Sequence, residues 1–185
     1  MQSADVLVVG AGMAGASAAY FLTPHKKVVL LEREAQPGYH ATGRSAAIYC
    51  ESYGNATVRA ITTASKPFYF SPPAGFSDYP LVTPRGLLMV GTAADQEAMR
   101  QALNTMRALV PTMVWLTQAD ILQRVPVLRP EHAMGGLYEP DAMDLDVHAI
   151  HQGFLRGAKT AGAQLVCDAA VEQVRFEAGH WLIQT

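Results

Sequence analysis

A glycine-rich turn between two apolar segments constrains this chain more than any other feature. Residues 5–9 run directly into a G-x-G-x-x-G turn formed by Gly10, Gly12 and Gly15. A run of small residues then predicts a helix, and a second apolar segment at 27–31 ends at Glu32. This order of strand, turn, helix, strand and acid is typical of a dinucleotide-binding βαβ unit. A βαβ unit that only packs, without a ligand, is the alternative.

Each glycine of the turn has a separate predicted role. Gly10 permits the tight turn, Gly12 lets the backbone approach a pyrophosphate, and Gly15 lets the helix pack closely on the strand. The helix N-terminus offers N–H groups to the phosphates. Glu32 lies roughly 20 residues after the first glycine, where a carboxylate accepts hydrogen bonds from an adenosine ribose. Because that carboxylate repels a 2′-phosphate, FAD or NAD is favoured over NADP.

Composition narrows the classes of function. The 185 residues are 50% hydrophobic and carry a net charge of -2, which predicts a sizeable core and no general attraction to nucleic acid or anionic membranes. No apolar run reaches the length of a membrane span, and no signal peptide is visible. Cys50 and Cys167 form no C-x-x-C motif, so we expect reduced thiols in a cytoplasmic protein, with Cys50 as a nucleophile the alternative.

Two groups of potential metal ligands are expected to have structural roles. His148 and His151 are three residues apart on a predicted helix, but the sequence offers no evident third ligand. Asp141, Asp144 and Asp146 lack the glycine and final glutamate of a calcium-binding loop, which favours turn and cap roles. We therefore predict no metal site.

Hydrophobic periodicity predicts alternating strands and helices along the rest of the chain. Asp146 is predicted to cap the helix at 147–161. Pro67 is predicted to bend or end the helix at 58–69. Because the sequence ends inside a predicted strand, we expect a longer protein. The predicted helices are 58–69, 94–109, 118–125 and 147–161, and the predicted strands are 81–82, 86–90, 113–116, 135–139, 164–166, 171–176 and 180–183.

The segment 41–48 contains small and hydroxyl residues with one arginine, Arg44. Because it carries few bulky side chains, it can lie against a flat ligand. A turn and short helix, with Ser45 as a cap, explain the same residues equally well. The residues alone leave both interpretations open.

Several motifs together resemble the FAD-binding start of the D-amino acid oxidase/glycine oxidase superfamily. Within it the chain is most similar to bacterial FAD-dependent D-amino acid dehydrogenases of the D-arginine dehydrogenase type. The similarity covers essentially the whole chain, and the most specific part is 43–47. The motifs are at 9–17, 31–40, 42–47, 53–54, 72–76, 126–129 and 151–153.

The resemblance implies a Rossmann-like FAD-binding domain of the GR2 type, at 1–77 and 143–185, with part of a smaller α+β substrate lobe at 78–142. It also implies that only the first half of such a protein is present, without the second flavin-binding segment and the carboxylate-binding residues. The implied FAD ligands are Gly10, Gly12, Ala14, Gly15, Glu32, Arg33, Ala41, Thr42, Gly43, Arg44, Ser45, Ala46, Ala47, Ile48 and Val171.

The resemblance further implies oxidation of a D-amino acid to a keto acid and ammonia, by hydride transfer to flavin N5. Tyr53 is expected at the substrate side of the flavin, where its phenol orients the amino group or covers the site. An ordinary half-buried loop tyrosine is the alternative. Leu87 and Ile48 are expected to contact substrate. Arginine-selective members are expected to have an acidic residue that pairs with the substrate guanidinium, but residues 86–89 of this chain are apolar. This predicts neutral or apolar substrates. The alternative is that residues 86–89 are simply part of the hydrophobic core.

Two other functions remain open at this point. The chain could be a non-catalytic FAD-binding fragment of a longer flavoprotein. It could also be a NAD-dependent Rossmann dehydrogenase, against which the segment 43–47 argues. Neither the final electron acceptor nor the oligomeric state follows from the sequence.

Overall fold

The structure is a computed structural model that describes residues 3–185, and it combines strands and helices along the whole chain. The α/β class that the sequence predicts is confirmed. The strands are β1 (Val6–Val9), β2 (Val28–Leu31), β3 (Ile48–Tyr49), β4 (Val82–Pro84), β5 (Leu87–Gly91), β6 (Val114–Thr117), β7 (Gly135–Glu139), β8 (Met143–Leu145), β9 (Gln164–Val166), β10 (Gln173–Glu177) and β11 (His180–Gln184). The helices are α1 (Met13–Leu22), α2 (Ala56–Phe70), α3 (Gln96–Met106), α4 (Gln118–Arg124) and α5 (Val147–Thr160), with 3-10 turns at Thr42–Arg44, Ala93–Asp95 and Pro130–His132.

The chain forms two compact units. The first unit runs to Ala46 and continues in Pro72–Leu81 and Asp146–Thr185. The second unit comprises Ala47–Ser71 and Val82–Leu145. The stretch Ala47–Ser71 thus groups with the second unit, whereas the sequence assigned it to the FAD-binding region. That assignment of functions to regions stays a prediction.

A parallel three-stranded sheet organises the first unit. Its order is β1-β2-β9, with β2 in the centre and buried along its whole length. Because a central parallel strand is covered on both faces, its sequence is a continuous apolar run. Helices α1 and α5 pack against each other, and Gly157 of α5 leaves room for the Tyr20 ring of α1, which an added Cβ would overlap. The hairpin of β10 and β11 completes this unit.

An antiparallel sheet with helices on both faces organises the second unit. The sheet order is β5-β7-β6. Since strand side chains alternate between faces, Met89 packs into the cluster with Leu103 of α3, whereas Leu88 packs into the cluster with Ile121 of α4. Leu88 and Met89 are therefore core residues of this unit. A smaller sheet, β3-β8-β4, lies in the same unit.

The predicted elements agree with the structure except at a few positions. Helix α2 continues past Pro67 to Phe70, so the prediction that Pro67 could end it is wrong; the Pro67 carbonyl still accepts the Ser71 N–H. Strands β3 and β8 were not predicted, because segments of two and three residues carry no readable periodicity. Asp144 accordingly lies in a strand, not a turn, while the predicted Asp146 cap is confirmed.

No helix within residues 3–185 is both long enough and apolar enough to cross a membrane.

Candidate functional site

The glycine-rich turn joins β1 to α1 at one edge of the parallel sheet. Gly10 adopts a φ of +92°, a conformation that glycine accepts without strain. An added Cβ at Gly15 would overlap the Gly10 carbonyl, so the start of α1 packs directly on the turn. An added Cβ at Gly12 would lie 3.1 Å from Thr42 Oγ1. The turn therefore presents bare backbone and the N-terminus of a helix, as the sequence predicts for an anion-binding loop.

Glu32 stands beside this turn because β1 and β2 are parallel and in register, with Val9 opposite Leu31. Only 8% of Glu32 is exposed. Its carboxylate accepts the Ala11 N–H at 2.9 Å and the Glu34 N–H at 3.1 Å. Glu32 thus fastens the glycine turn to the end of β2, a role that its sequence position did not indicate.

His151 of α5 holds the same turn from another side. Its Nε2 donates to the Ala11 carbonyl at 2.7 Å, and only 3% of His151 is exposed. From its sequence position, His151 is predicted only to have a structural role on a helix face. Its bond to residue 11 could not be found from sequence, because the two residues are 140 positions apart.

The loop after β2 carries an exposed polar cluster of Arg33, Glu34 and His40. Arg33 Nε donates to Glu34 Oε1 at 2.9 Å, and His40 Nε2 lies 2.7 Å from the same oxygen. The His40 ring, and next the Arg33 guanidinium, lower the pKa of the Glu34 carboxyl. Nearby, the Arg44 guanidinium lies 5.4 Å from the centre of the Tyr39 ring.

These segments enclose a cavity of about 490 Å³, which we call the glycine-turn cavity. Seven of the predicted FAD ligands line it: Gly10, Gly12, Glu32, Arg33, Ala41, Thr42 and Val171. Seven further lining residues were not predicted: Val9, Leu31, Gly38, Tyr39, His40, Ala169 and Ala170. The Pro37-Gly38 pair in the sequence indicates a turn that folds the chain back beside β2, and this could have predicted that Gly38, Tyr39 and His40 line the cavity.

The segment 41–48 begins at the glycine-turn cavity. Thr42 Oγ1 accepts the Met13 N–H at 2.9 Å, so Thr42 caps the first residue of α1. A 3-10 turn covers Thr42–Arg44, which agrees with the short helix that one interpretation expected. The other predicted ligands do not line the cavity: Ala14 and Gly15 lie in the first turn of α1, Gly43–Ala46 follow Thr42, and Ala47 and Ile48 belong to the second unit.

The predicted substrate-side residues all belong to the second unit. Tyr53 lies in the turn between β3 and α2 and is 74% exposed. Ile48 opens β3 opposite Asp144. Leu87 opens β5 and is paired with Glu139 of β7, so the two side chains share one face of the sheet.

Glu139 is the most buried carboxylate that the described residues contain, with 2% exposed. It accepts the Glu51 N–H and the Cys50 thiol, each at 3.2 Å, and also the Ser52 hydroxyl. Burial raises the pKa of the Cys50 thiol, and the Glu139 carboxylate adds to this. Cys50 is therefore held protonated, which argues against its alternative role as a nucleophile.

The Glu51 carboxylate faces helix α2. It accepts Lys66 Nζ at 2.6 Å and Thr63 Oγ1 at 2.9 Å. Burial opposes its charged form, but the hydrogen bonds from Lys66 and Thr63 outweigh it and lower the pKa of the Glu51 carboxyl. The tripeptide 50–52 is thus held by β7 on one side and by α2 on the other.

Among residues 3–185, no three side chains of the types that bind metals come together. His151, one of the two histidines considered above, uses Nε2 for the Ala11 carbonyl.

Residues 5–185 match the family described as FAD dependent oxidoreductase, DAO. The chain belongs to this family, and its cofactor is FAD. The resemblance to the superfamily is thereby confirmed, and FAD is selected over NAD.

The chain is 29% identical to sarcosine oxidase subunit beta of Rhodobacter capsulatus over 185 residues, which is 95% of this chain and 44% of that protein. It is similar in structure to glycine oxidase from Geobacillus kaustophilus, with a TM-score of 0.83 and 19% identity over 97% of this chain and 50% of the other. The FAD-bound L-alpha-glycerophosphate oxidase from Mycoplasma pneumoniae gives a TM-score of 0.83 and 17% identity, over 99% and 50%. The chain thus spans half or less of these proteins, and the structural likeness shows a shared fold.

The glycine-turn cavity fits a dinucleotide. Gly10 and Gly12 line it with backbone that carries no side chain, and it lies beside the N-terminus of α1, where amides lack intrahelical acceptors. Arg33 and His40 add polar groups at its wall.

Proposed function

We propose that the full-length protein oxidises neutral or apolar D-amino acids to keto acids and ammonia, with FAD as the oxidant. The observation that carries the proposal is the pairing of Leu87 with Glu139 at the edge of the second unit's sheet. The family and the relatives named sarcosine oxidase and glycine oxidase support amino acids as the substrate class.

The first unit would hold the cofactor. The backbone of Gly10, Gly12 and Gly15 and the start of α1 would receive the pyrophosphate, and Glu32 would accept the adenosine ribose hydroxyls. Arg33 would border the adenosine portion, and the segment 41–48 would continue toward the ribityl chain and the flavin. When bound, FAD supplies the two-electron acceptor for the Cα–H bond of the substrate.

The chain's own residues would orient the amino acid. In this proposal the exposed Tyr53 phenol contacts the substrate amino group. Its loop can serve this role because the preceding tripeptide is fixed by Glu139, Lys66 and Thr63. Water then hydrolyses the resulting imine to the keto acid and ammonia.

The substrate class follows from the charge available near Leu87. A guanidinium or ammonium group entering a pocket without a carboxylate is left unpaired, which is costly. The carboxylate closest in register, Glu139, already accepts three donors and is 2% exposed, so it is not free for a substrate cation. Leu88 and Met89 are core residues, which leaves Leu87 as the specificity position.

The test is a steady-state comparison of D-arginine, D-lysine, D-leucine and D-methionine with the full-length protein. Leu87→Glu should raise kcat/KM for the cationic pair relative to the apolar pair by roughly tenfold or more, because it adds a charge-assisted hydrogen bond. Leu87→Gln is the matched control of equal length without charge. A parent enzyme that already prefers D-arginine over D-leucine would overturn the proposed substrate class.

A second candidate is an FAD-binding fragment without catalysis, favoured by the fact that the glycine-turn cavity is built entirely from the first unit. The test compares residues 1–185 alone with the full-length protein. If residues 1–185 bind FAD but oxidise no amino acid, while the full-length protein is active, the isolated chain is a non-catalytic FAD-binding fragment.

A further inference from the structure

We propose that His151 is a positioning residue for FAD, which holds the glycine turn in the form that receives the cofactor. The proposal rests on the FAD site of the family and is independent of the substrate class proposed above. Two side chains, those of Glu32 and His151, bind the N–H and the carbonyl of Ala11.

Ala11 is completely buried and lies just before the N-cap of α1. The Gly12 carbonyl accepts the first bond of the helix, from the Ala16 N–H at 2.9 Å. The Ala11 carbonyl precedes this ladder, so it needs a donor from elsewhere, because an unpaired buried carbonyl is costly. His151 Nε2 is that donor, while Glu32 accepts the Ala11 N–H.

The same imidazole also supports the opposite wall of the glycine-turn cavity. An added Cβ at Gly38 would lie 2.9 Å from His151 Cε1 and 3.1 Å from His151 Nδ1. The Gly38 carbonyl accepts the Gly43 N–H at 2.9 Å, which links this wall to the segment that carries Thr42. One buried side chain thus contacts two of the loops that line the cavity.

Helix α5 fixes where this imidazole lies. Its N-terminus is capped by Asp146, whose side chain accepts the Ala149 N–H at 2.7 Å. On the buried side, Phe154 lies 5.4 Å from the ring of Tyr20 in α1, measured between centroids. Because both helices are packed, the imidazole is held in place before any ligand arrives, and this is what preorganises a binding loop.

The experiment compares His151→Phe with His151→Gln in the full-length protein, freed of FAD and titrated with FAD in the absence of substrate. Phe keeps the ring volume without a donor, whereas Gln places an N–H close to the position of Nε2. The Kd of the Phe variant should rise roughly tenfold or more, and the Gln variant should remain near the parent. His148→Phe, on the exposed face of the same helix, is the matched control and should leave the Kd unchanged.

Two readouts separate positioning from general stability. The visible spectrum of bound flavin should broaden in the Phe variant, and its FAD dissociation rate should rise more than the apoprotein Tm falls. Equal losses in the Phe and Gln variants, or a Phe variant with the parent Kd, would overturn the proposal. If the Phe variant does not fold, His151→Leu, which is smaller than the imidazole and also lacks a donor, makes the same comparison with Gln.

Discussion

Two buried carboxylates, Glu32 and Glu139, stand at equivalent places in the two units. Glu32 directly follows β2, and Glu139 is the last residue of β7. Each accepts a backbone N–H from a loop that follows another strand: the Ala11 N–H after β1, which pairs with β2, and the Glu51 N–H after β3, which lies in a different sheet from β7. They differ in their surroundings, since Glu32 lines the glycine-turn cavity and Glu139 does not.

This difference teaches how to distinguish a loop anchor from a ligand. A buried carboxylate that accepts backbone N–H groups is satisfied without any partner from outside, so its presence alone does not indicate a binding site. Glu139 is satisfied in this way by donors from three consecutive residues, the Cys50 thiol, the Glu51 N–H and the Ser52 hydroxyl. Glu32 accepts two backbone N–H groups and also borders the glycine-turn cavity, so the carboxylate that anchors the turn is also the one proposed to bind the adenosine ribose.

The largest effect is expected from Glu139→Ala, which leaves several donors of the tripeptide 50–52 buried and unpaired. The free energy of unfolding should fall by about 2–4 kcal/mol. Denaturant unfolding followed by circular dichroism measures it. Glu139→Gln, which keeps one acceptor oxygen, should cost less. A loss below about 1 kcal/mol in the Ala variant would contradict the anchor role.

The second effect, Glu32→Ala, should appear mainly in cofactor binding. FAD affinity should weaken by about 1–3 kcal/mol, since a charged hydrogen-bond partner is lost and the Ala11 N–H is released. Titration of the apoprotein with FAD measures the change. Glu177→Ala is the control, because Glu177 is exposed on β10 and does not line the glycine-turn cavity. If Glu139→Ala weakens FAD binding more than Glu32→Ala does, the contrast between the two carboxylates fails.

The smallest effect concerns Glu51, which is held by Lys66 and Thr63. Its folded-state pKa is lowered, so it contributes stability at pH values above its unfolded pKa, about 4.3. This contribution is lost as the pH falls through the lower folded value. Glu51→Gln should therefore lower the free energy of unfolding by about 1 kcal/mol at neutral pH. The expected loss is small because Lys66 is partly exposed, so solvent screens its charge.

The pH dependence distinguishes this ion pair from simple packing. The stability difference between parent and Glu51→Gln should shrink as the pH is lowered below about 4. Glu131→Gln, at an exposed position, provides the baseline. A difference that stays constant from neutral to acidic pH would contradict the role given to Lys66 and Thr63.

Local patterns allowed most of the fold to be predicted. The glycine turn, the buried β2 and the Asp146 cap each depend on residues close in sequence, and the structure contains all three. Strand β8 was missed because its three residues alternate too briefly to give a period.

The contacts that complete the site could not be predicted, because they join distant positions. The donor to the Ala11 carbonyl is 140 residues away, and Glu139 is 88 residues from the Glu51 N–H that it accepts. No local pattern encodes such a pairing. Three of the unpredicted lining residues, Gly38, Tyr39 and His40, likewise depend on how the loop after β2 folds back.

The two bonds to Ala11 also set an order of assembly during protein synthesis. Its N–H partner, Glu32, follows 21 residues later, whereas its carbonyl partner, His151, follows 140 residues later. Contacts over long separations form late, since more chain entropy must be lost before they are made. A nascent chain can therefore form the β1-α1-β2 unit early, but its glycine turn is completed only after α5 has left the ribosome and docked.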